Sequence, residues 1–242
     1  MRFVQKAAPV AVLGLLLAMA GCDATTSGPS GLPTATPTTA STQGTDMQSK
    51  LARAFESSSP QTAELIKDAD TKLNEIKLAG LTGWTLVDVQ NLRPPHPRRV
   101  AVALSDSGDG KVLSGDPDAF NAVVRANLGE LTADSAVDAA KTFLDFTRDT
   151  GSWSYRVESV EVIKWLPKPT DLQADRRDEL IKKYGDQIAP PEAVAESGGY
   201  AMTLWTVSGT DLIQHKIIVG SDGAITDATK VAADNLPVPS SI

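Results

Sequence analysis

The sequence predicts an α+β domain: a mostly antiparallel sheet with helices packed on one face. Near the C-terminus, residues 200–207, 212–219 and 224–231 read as strands joined by Ser208-Gly209-Thr210-Asp211 and by Asp222-Gly223. Asp-Gly between two such apolar-rich runs suits a hairpin turn whose backbone needs positive φ. Upstream, several segments place apolar residues at helical spacing between Gly and Pro stops. Helices beside an antiparallel sheet make the α+β arrangement. No repeat of roughly 20–50 residues is visible.

The chain begins with Arg2 and Lys6, then runs apolar from Val10 to Met19 and reaches Ala20-Gly21-Cys22. A charged start, an apolar stretch of roughly 7–15 residues and small residues at a cut site are the marks of a secretory signal. The apolar run is shorter than the roughly 20 residues a bilayer span needs. Leu17-Ala18-Met19-Ala20-Gly21-Cys22 resembles the lipobox of bacterial lipoproteins, with Met19 where that class usually has Leu. The resemblance implies cleavage after Gly21 and lipid modification of Cys22, the only cysteine. It also implies that Asp23, next to the lipidated residue, is the sorting position that keeps a lipoprotein on the cytoplasmic membrane. The expected location is the outer face of that membrane. The other reading of Cys22 is an unmodified cysteine in an ordinary secretory signal.

From residue 22 to 47 the chain is Thr, Ser, Gly, Pro and Ala with almost no large apolar side chain. Too little surface can be buried there to offset the entropy of ordering, so the segment is expected to be a disordered tether. A single globular domain is expected over residues 48–235, with a flexible tail at 236–242. Leu51, Ala52 and Phe55 suggest a short helix. Ser59-Pro60 then looks like a cap and first turn, and the spacing of Thr62, Leu65, Ile66, Ala69, Leu73 and Ile76 predicts a helix over 60–78. Residues 84–92 and 98–105 read as strands, and Lys111-Val112-Leu113 as a short third one after the turn Asp106-Ser107-Gly108-Asp109-Gly110. Asp116-Pro117 opens a helix with Phe120, Val123, Val124 and Leu128 on one side, stopped at Gly129, and Thr132 caps another that Gly151 closes, with Arg148 in its last turn. A long strand is expected over 153–166, a polar helix over about 172–185, and a loop through Pro190-Pro191 to Gly199. A helix followed by a curved antiparallel sheet is similar, in element order alone, to the cystatin and NTF2 cone folds.

The chain carries 23 basic and 30 acidic residues, and loss of residues 1–21 would remove Arg2 and Lys6 and no acid. So acidic a surface argues against nucleic acid and against electrostatic adhesion to anionic lipid, both of which use basic clusters. With Cys22 lipidated no thiol remains, which excludes disulfides, thiolate metal sites and a cysteine nucleophile. There is no G-x-S-x-G, no H-E-x-x-H and no G-x-x-x-x-G-K-[ST]. Neither a catalytic residue, nor a metal, nor a cofactor is expected. Counted from Asp106, the third, fifth and twelfth positions are Gly108, Gly110 and Pro117, so the aspartates there fail the EF-hand pattern and suit turns.

Three arginines and a histidine fall within Arg93-Pro94-Pro95-His96-Pro97-Arg98-Arg99, the one basic spot of the domain. Guanidinium forks suit phosphate or carboxylate, so Arg93, His96, Arg98 and Arg99 are candidate anion contacts; the alternative is a solvated loop between strands. His215 shares a strand face with Ile213, Ile217 and Val219 and reads as a packed residue. Trp84, Trp153, Trp165 and Trp205 lie in or beside the strands, as core and rim residues or as walls of a pocket. These features together predict a lipid-anchored, non-enzymatic binding or accessory module. Its expected partners are the membrane, through the anchor, and an envelope polymer or membrane protein. The alternative is an envelope hydrolase that uses a pair of carboxylates.

Overall fold

The computed structural model describes residues 42–149, 151 and 153–239. Gly21, Cys22, Asp23 and the rest of residues 1–41 lie outside the described residues. The class is the expected α+β. Helices α1 (Thr42–Phe55) and α2 (Pro60–Lys67) precede a first antiparallel sheet of β1 (Lys72–Ile76), β2 (Trp84–Asn91), β3 (Arg98–Ser105) and β4 (Gly110–Val112), in that order. Helices α3 (Pro117–Val124) and α4 (Ala133–Thr147) lead to a second sheet. It holds β5 (Ser154–Val157), β6 (Val194–Glu196), β7 (Gly199–Ser208), β8 (Asp211–Gly220) and β9 (Ile225–Ala233), with α5 (Asp171–Tyr184) inserted after β5. Its path is β5-β7-β8-β9, and β6 pairs with the first part of β7.

The strands therefore divide between two sheets, and helices lie on more than one face. On one side of the first sheet, Val87, Val89, Val102 and Leu104 meet Leu51 and Phe55 of α1 and Leu65 and Ile66 of α2. On its other side, Leu86, Ala101 and Ala103 meet α3 and α4, and that same core takes in Met202, Leu204, Ile217, Val219 and Ile225 of the second sheet. The far face of the second sheet buries Trp205, Val207 and Leu212 under Leu180 and Tyr184 of α5. Helix α4 is thus the shared layer between the sheets. Alternation along each strand produces this pattern, because successive side chains point to opposite faces.

Several expected boundaries move. Helix α1 starts at Thr42, so the last residues assigned to the tether are helical, and Gln48 Nε2 donates to the Ile66 carbonyl at 2.6 Å. The expected helix over 60–78 stops at Lys67. Asp68 Oδ1 accepts the Asp70 amide at 2.9 Å and the Thr71 hydroxyl donates to the Leu65 carbonyl at 2.6 Å. Short polar side chains that bond nearby backbone compete with helix, and Leu73 continues in β1 opposite Val89. The expected strand over 153–166 ends at Val157 opposite Trp205, because further along β7 its edge is taken by β6. The freed segment makes a short 3₁₀ turn, Val160–Val162, and buries Val160 and Ile163 beneath α5. The stretch expected as a loop before Gly199 contains β6, turned by Ser197-Gly198 with Gly198 at φ +94. The expected flexible tail is packed through its first residues: Leu236 and Val238 are buried, and the Leu236 amide donates to the Thr210 carbonyl at 2.8 Å.

Candidate functional site

The three-stranded meander sets out the site. Thr206 on β7 faces Ile213, His215 on β8 faces Leu204 and Thr229, and Asp227 on β9 faces Ile217. Equal parity along paired strands puts Thr206, His215 and Asp227 on one face of the sheet, stepping diagonally across it. His215 Nδ1 lies 2.7 Å from Asp227 Oδ2, and Nε2 lies 2.9 Å from Thr206 Oγ1. The tautomer that donates Nδ1–H to the carboxylate leaves Nε2 as the acceptor for the threonine hydroxyl. His215 and Thr206 are 8% and 6% exposed, so the ring is packed as expected and also held at both nitrogens. The second carboxylate oxygen, Asp227 Oδ1, is buried and has no hydrogen-bond partner among the described residues.

This chain of groups floors a cleft of about 670 Å³ between the second sheet and helices α3 and α4. Phe143 and Leu144 of α4 and Ile213 and Ile225 of the sheet supply its apolar lining, while Asp118 of α3 and Arg148 at the end of α4 stand at its rim. Helix α3 is set there by its cap, where Asp116 Oδ1 accepts the Ala119 amide at 2.8 Å. Helix α4 starts at a reciprocal cap between Thr132 and Ser135. Arg148 donates to the Ser154 carbonyl on β5 and has no carboxylate partner among the described residues. Arg156 on the same strand is held by Asp145 at 3.0 Å and by Glu158 at 3.2 Å. A hydrogen bond from Lys141, reinforced by the charges of Lys141 and Arg156, holds the Glu158 carboxyl below its usual range.

Hydroxyl, imidazole and carboxylate in this order also form the relay of acyl-transfer enzymes, which need an accessible nucleophile and donors for an oxyanion. Thr206 lies inside β7, opposite Arg156 on β5 and Ile213 on β8, so its backbone amide belongs to the ladder. The geometry favours a rigid polar floor.

The basic loop is occupied differently from the expectation. Arg99 forms a two-pronged pair with Asp88, at 2.7 and 2.9 Å, and the Asp88 side chain is only 7% exposed. Arg93 lies 3.1 Å from Asp70 on the surface, and Arg98 donates to the Gln61 carbonyl at 3.3 Å. His96 is exposed in the turn between β2 and β3. Two of the three guanidiniums therefore already have carboxylates, and the cluster is no concentrated cation. Of the tryptophans, Trp205 is buried and Trp84 and Trp165 pack at core edges, as expected. Trp153 and Tyr155 lie ring to ring at 5.0 Å, with Lys164 Nζ over both. A second, more apolar groove of about 840 Å³ crosses the far face of the second sheet, over Trp205, Lys216 and Ile218.

His215 is legible in the sequence as a strand residue, whereas its partners Thr206 and Asp227 carry no motif. The signal was present in the short turns after Ser208 and at Asp222-Gly223, which fix strand parity and so place Thr206 and Asp227 beside it. Among the described residues no helix is long and apolar enough to cross a membrane. The chain matches no family model, no curated protein and no solved structure.

Proposed function

We propose that the mature protein is a lipid-anchored, non-enzymatic binding or accessory module. Cys22 holds it at the outer face of the cytoplasmic membrane, and its ligand site is the cleft floored by Thr206, His215 and Asp227. One observation carries the binding reading: a cleft of ligand size whose polar floor is braced at every group except Asp227 Oδ1. Clefts of roughly 300–1,000 Å³ with a few convergent polar groups are the usual form of small-ligand sites. The anchor rests on Ala20-Gly21-Cys22 and the composition break behind it. The acidic balance speaks for an envelope polymer or a membrane protein as partner rather than nucleic acid.

A hydrolase that uses two carboxylates is the second reading, and Asp118 and Asp227 lining the same cleft is the observation behind it. A turnover screen over glycan, peptidoglycan, ester and phosphoester substrates separates the two, run on wild type, Asp118→Asn and Asp227→Asn. The binding reading expects no turnover. Turnover that Asp118→Asn abolishes while the fold is retained overturns it. For the anchor, Cys22→Ser is expected to release the protein from washed membranes. Unchanged retention, with no acyl mass on the wild-type N-terminus, removes that part of the proposal.

A further inference from the structure

We propose that the open edge of β9 is a self-association surface, where a second copy of this chain adds its own β9 antiparallel with Thr229 on the two-fold axis. Among the described residues β9 has one strand neighbour, β8. Asn121 reveals which backbone groups face away from that neighbour, because its carboxamide takes both the amide and the carbonyl of Ile225. Antiparallel pairing alternates, so Asp227, Thr229 and Val231 turn their backbone groups outward in the same way. No other described element bonds to those groups, and Ala228 to Val231 are exposed. The open stretch has defined ends. Asn121 fills the place of a neighbouring strand at Ile225, and a bulge facing Leu212 and Ile213 bends β9 after Val231.

This edge is complementary to itself. With Thr229 opposite its own copy, Asp227 stands opposite the second copy's Val231, and Val231 opposite its Asp227. Each outward residue brings one donor and one acceptor, so the three satisfy one another through about six hydrogen bonds. Because the axis passes through a residue, every side chain keeps its face of the sheet. On the far face Ala228 falls opposite Lys230, a small side chain beside a long one whose ammonium reaches water. Edge strands are commonly blunted by proline or by charge. β9 has no proline, and its one acid and one base make it a neutral segment in an acidic chain. On the other face Thr229 lines the cleft, so the two clefts meet across the axis. The association needs neither ligand nor anchor and stands apart from the binding reading.

The test is cysteine cross-linking of the full chain in mild detergent. A Cys22→Ser background makes each introduced cysteine the only thiol. Thr229→Cys is expected to form a disulfide-linked dimer under mild oxidation, since hydrogen-bonded antiparallel pairs lie about 5.5 Å apart at Cα, within disulfide reach. Ala228→Cys and Lys230→Cys should each stay monomeric alone and cross-link when mixed, because each sits diagonally from its own copy, roughly 7–8 Å away. Asn74→Cys, exposed at the middle of the β1 edge, gives the yield of random collision. Sedimentation of the Cys22→Ser chain should show a weak, concentration-dependent dimer, as expected of a small interface. Thr229→Pro removes an outward N–H and should weaken that dimer about tenfold or more. Where Thr229→Pro lowers the melting temperature, Thr229→Lys gives the same reading by placing two cations opposite each other. A Thr229→Cys yield no higher than that of Asn74→Cys overturns the proposal. So does cross-linking of Ala228→Cys or Lys230→Cys alone that equals their mixture, or a dimer that Thr229→Lys leaves unchanged. A chain still monomeric at about 1 mM overturns it as well.

Discussion

Asn121 and Ile225, 104 residues apart, are joined by both ends of one carboxamide: Oδ1 accepts the Ile225 amide at 2.7 Å and Nδ2 donates to the Ile225 carbonyl at 2.9 Å. The side chain stands in for a neighbouring strand at the start of β9, where the sheet has an open edge. It also ties α3 to the sheet and so sets one wall of the cleft. Asn121→Ala is expected to cost about 1–3 kcal/mol, since it leaves a part-buried donor and acceptor without partners. Urea unfolding measures that cost, and a change below roughly 0.3 kcal/mol would show that water replaces the carboxamide without loss.

Phe55 and Gly110 test whether α1 belongs to the fold. A Cβ on residue 110 would meet the Phe55 ring at 2.8–3.0 Å, closer than real contacts allow. Gly110→Ala is therefore expected to destabilise by about 1–3 kcal/mol through overpacking. Phe55→Ala should cost about 3–5 kcal/mol, because the ring is fully buried against the first sheet. The double variant Phe55→Leu, Gly110→Ala should recover part of the Gly110→Ala loss. Thermal melts of Gly110→Ala, Phe55→Leu and the double variant, compared with wild type as a cycle, decide it.

Arg99 and Asp88 make the buried half of the basic loop structural. Arg99→Leu removes two charge-assisted hydrogen bonds and leaves a carboxylate that is 7% exposed, with Gln90 as its remaining side-chain partner. The expected loss is about 1.5–3 kcal/mol. Adding Asp88→Asn should restore part of it by removing the buried charge. Arg98→Gln, at a side chain that holds only a carbonyl, should change stability by less than about 0.5 kcal/mol.

Glu158 ties stability to pH. Its carboxyl is lowered from 4.5 by the hydrogen bond from Lys141 and by the charges of Lys141 and Arg156. In the unfolded chain the ordinary value returns. The stabilising contribution is therefore present above about pH 4.5 and disappears as pH falls through the lowered folded value. Glu158→Gln should destabilise at pH 7 by less than about 1 kcal/mol, because the side chain is 39% exposed and solvent screens the pair. The gap between wild type and variant should close on acidification and shrink in high salt. A constant gap from pH 7 down to pH 3 would assign the effect to packing instead.

Sequence alone determined what local chemistry decides. Asp116 and Thr132 cap their helices as expected, Gly223 takes the positive φ that Asp-Gly implied, and the meander 199–233 forms between the turns that the sequence marked. A cap, a turn or an alternating strand is specified within a few residues, so one stretch of chain contains its whole cause. Tertiary structure decided the rest. Leu73 and Ile76 fit a helical spacing as well as a strand edge, and only the pairing of β1 with β2 chose between them. The division of the strands into two sheets depends on which edge each finds, a matter of partners far away in sequence. The same holds for the charges: Arg99 is neutralised by Asp88 across one strand pair, while Arg148 is left facing a cleft. Alternation tells which way a side chain points, but what it meets there is set by the packing of other elements, as with Thr206, His215 and Asp227 on three successive strands.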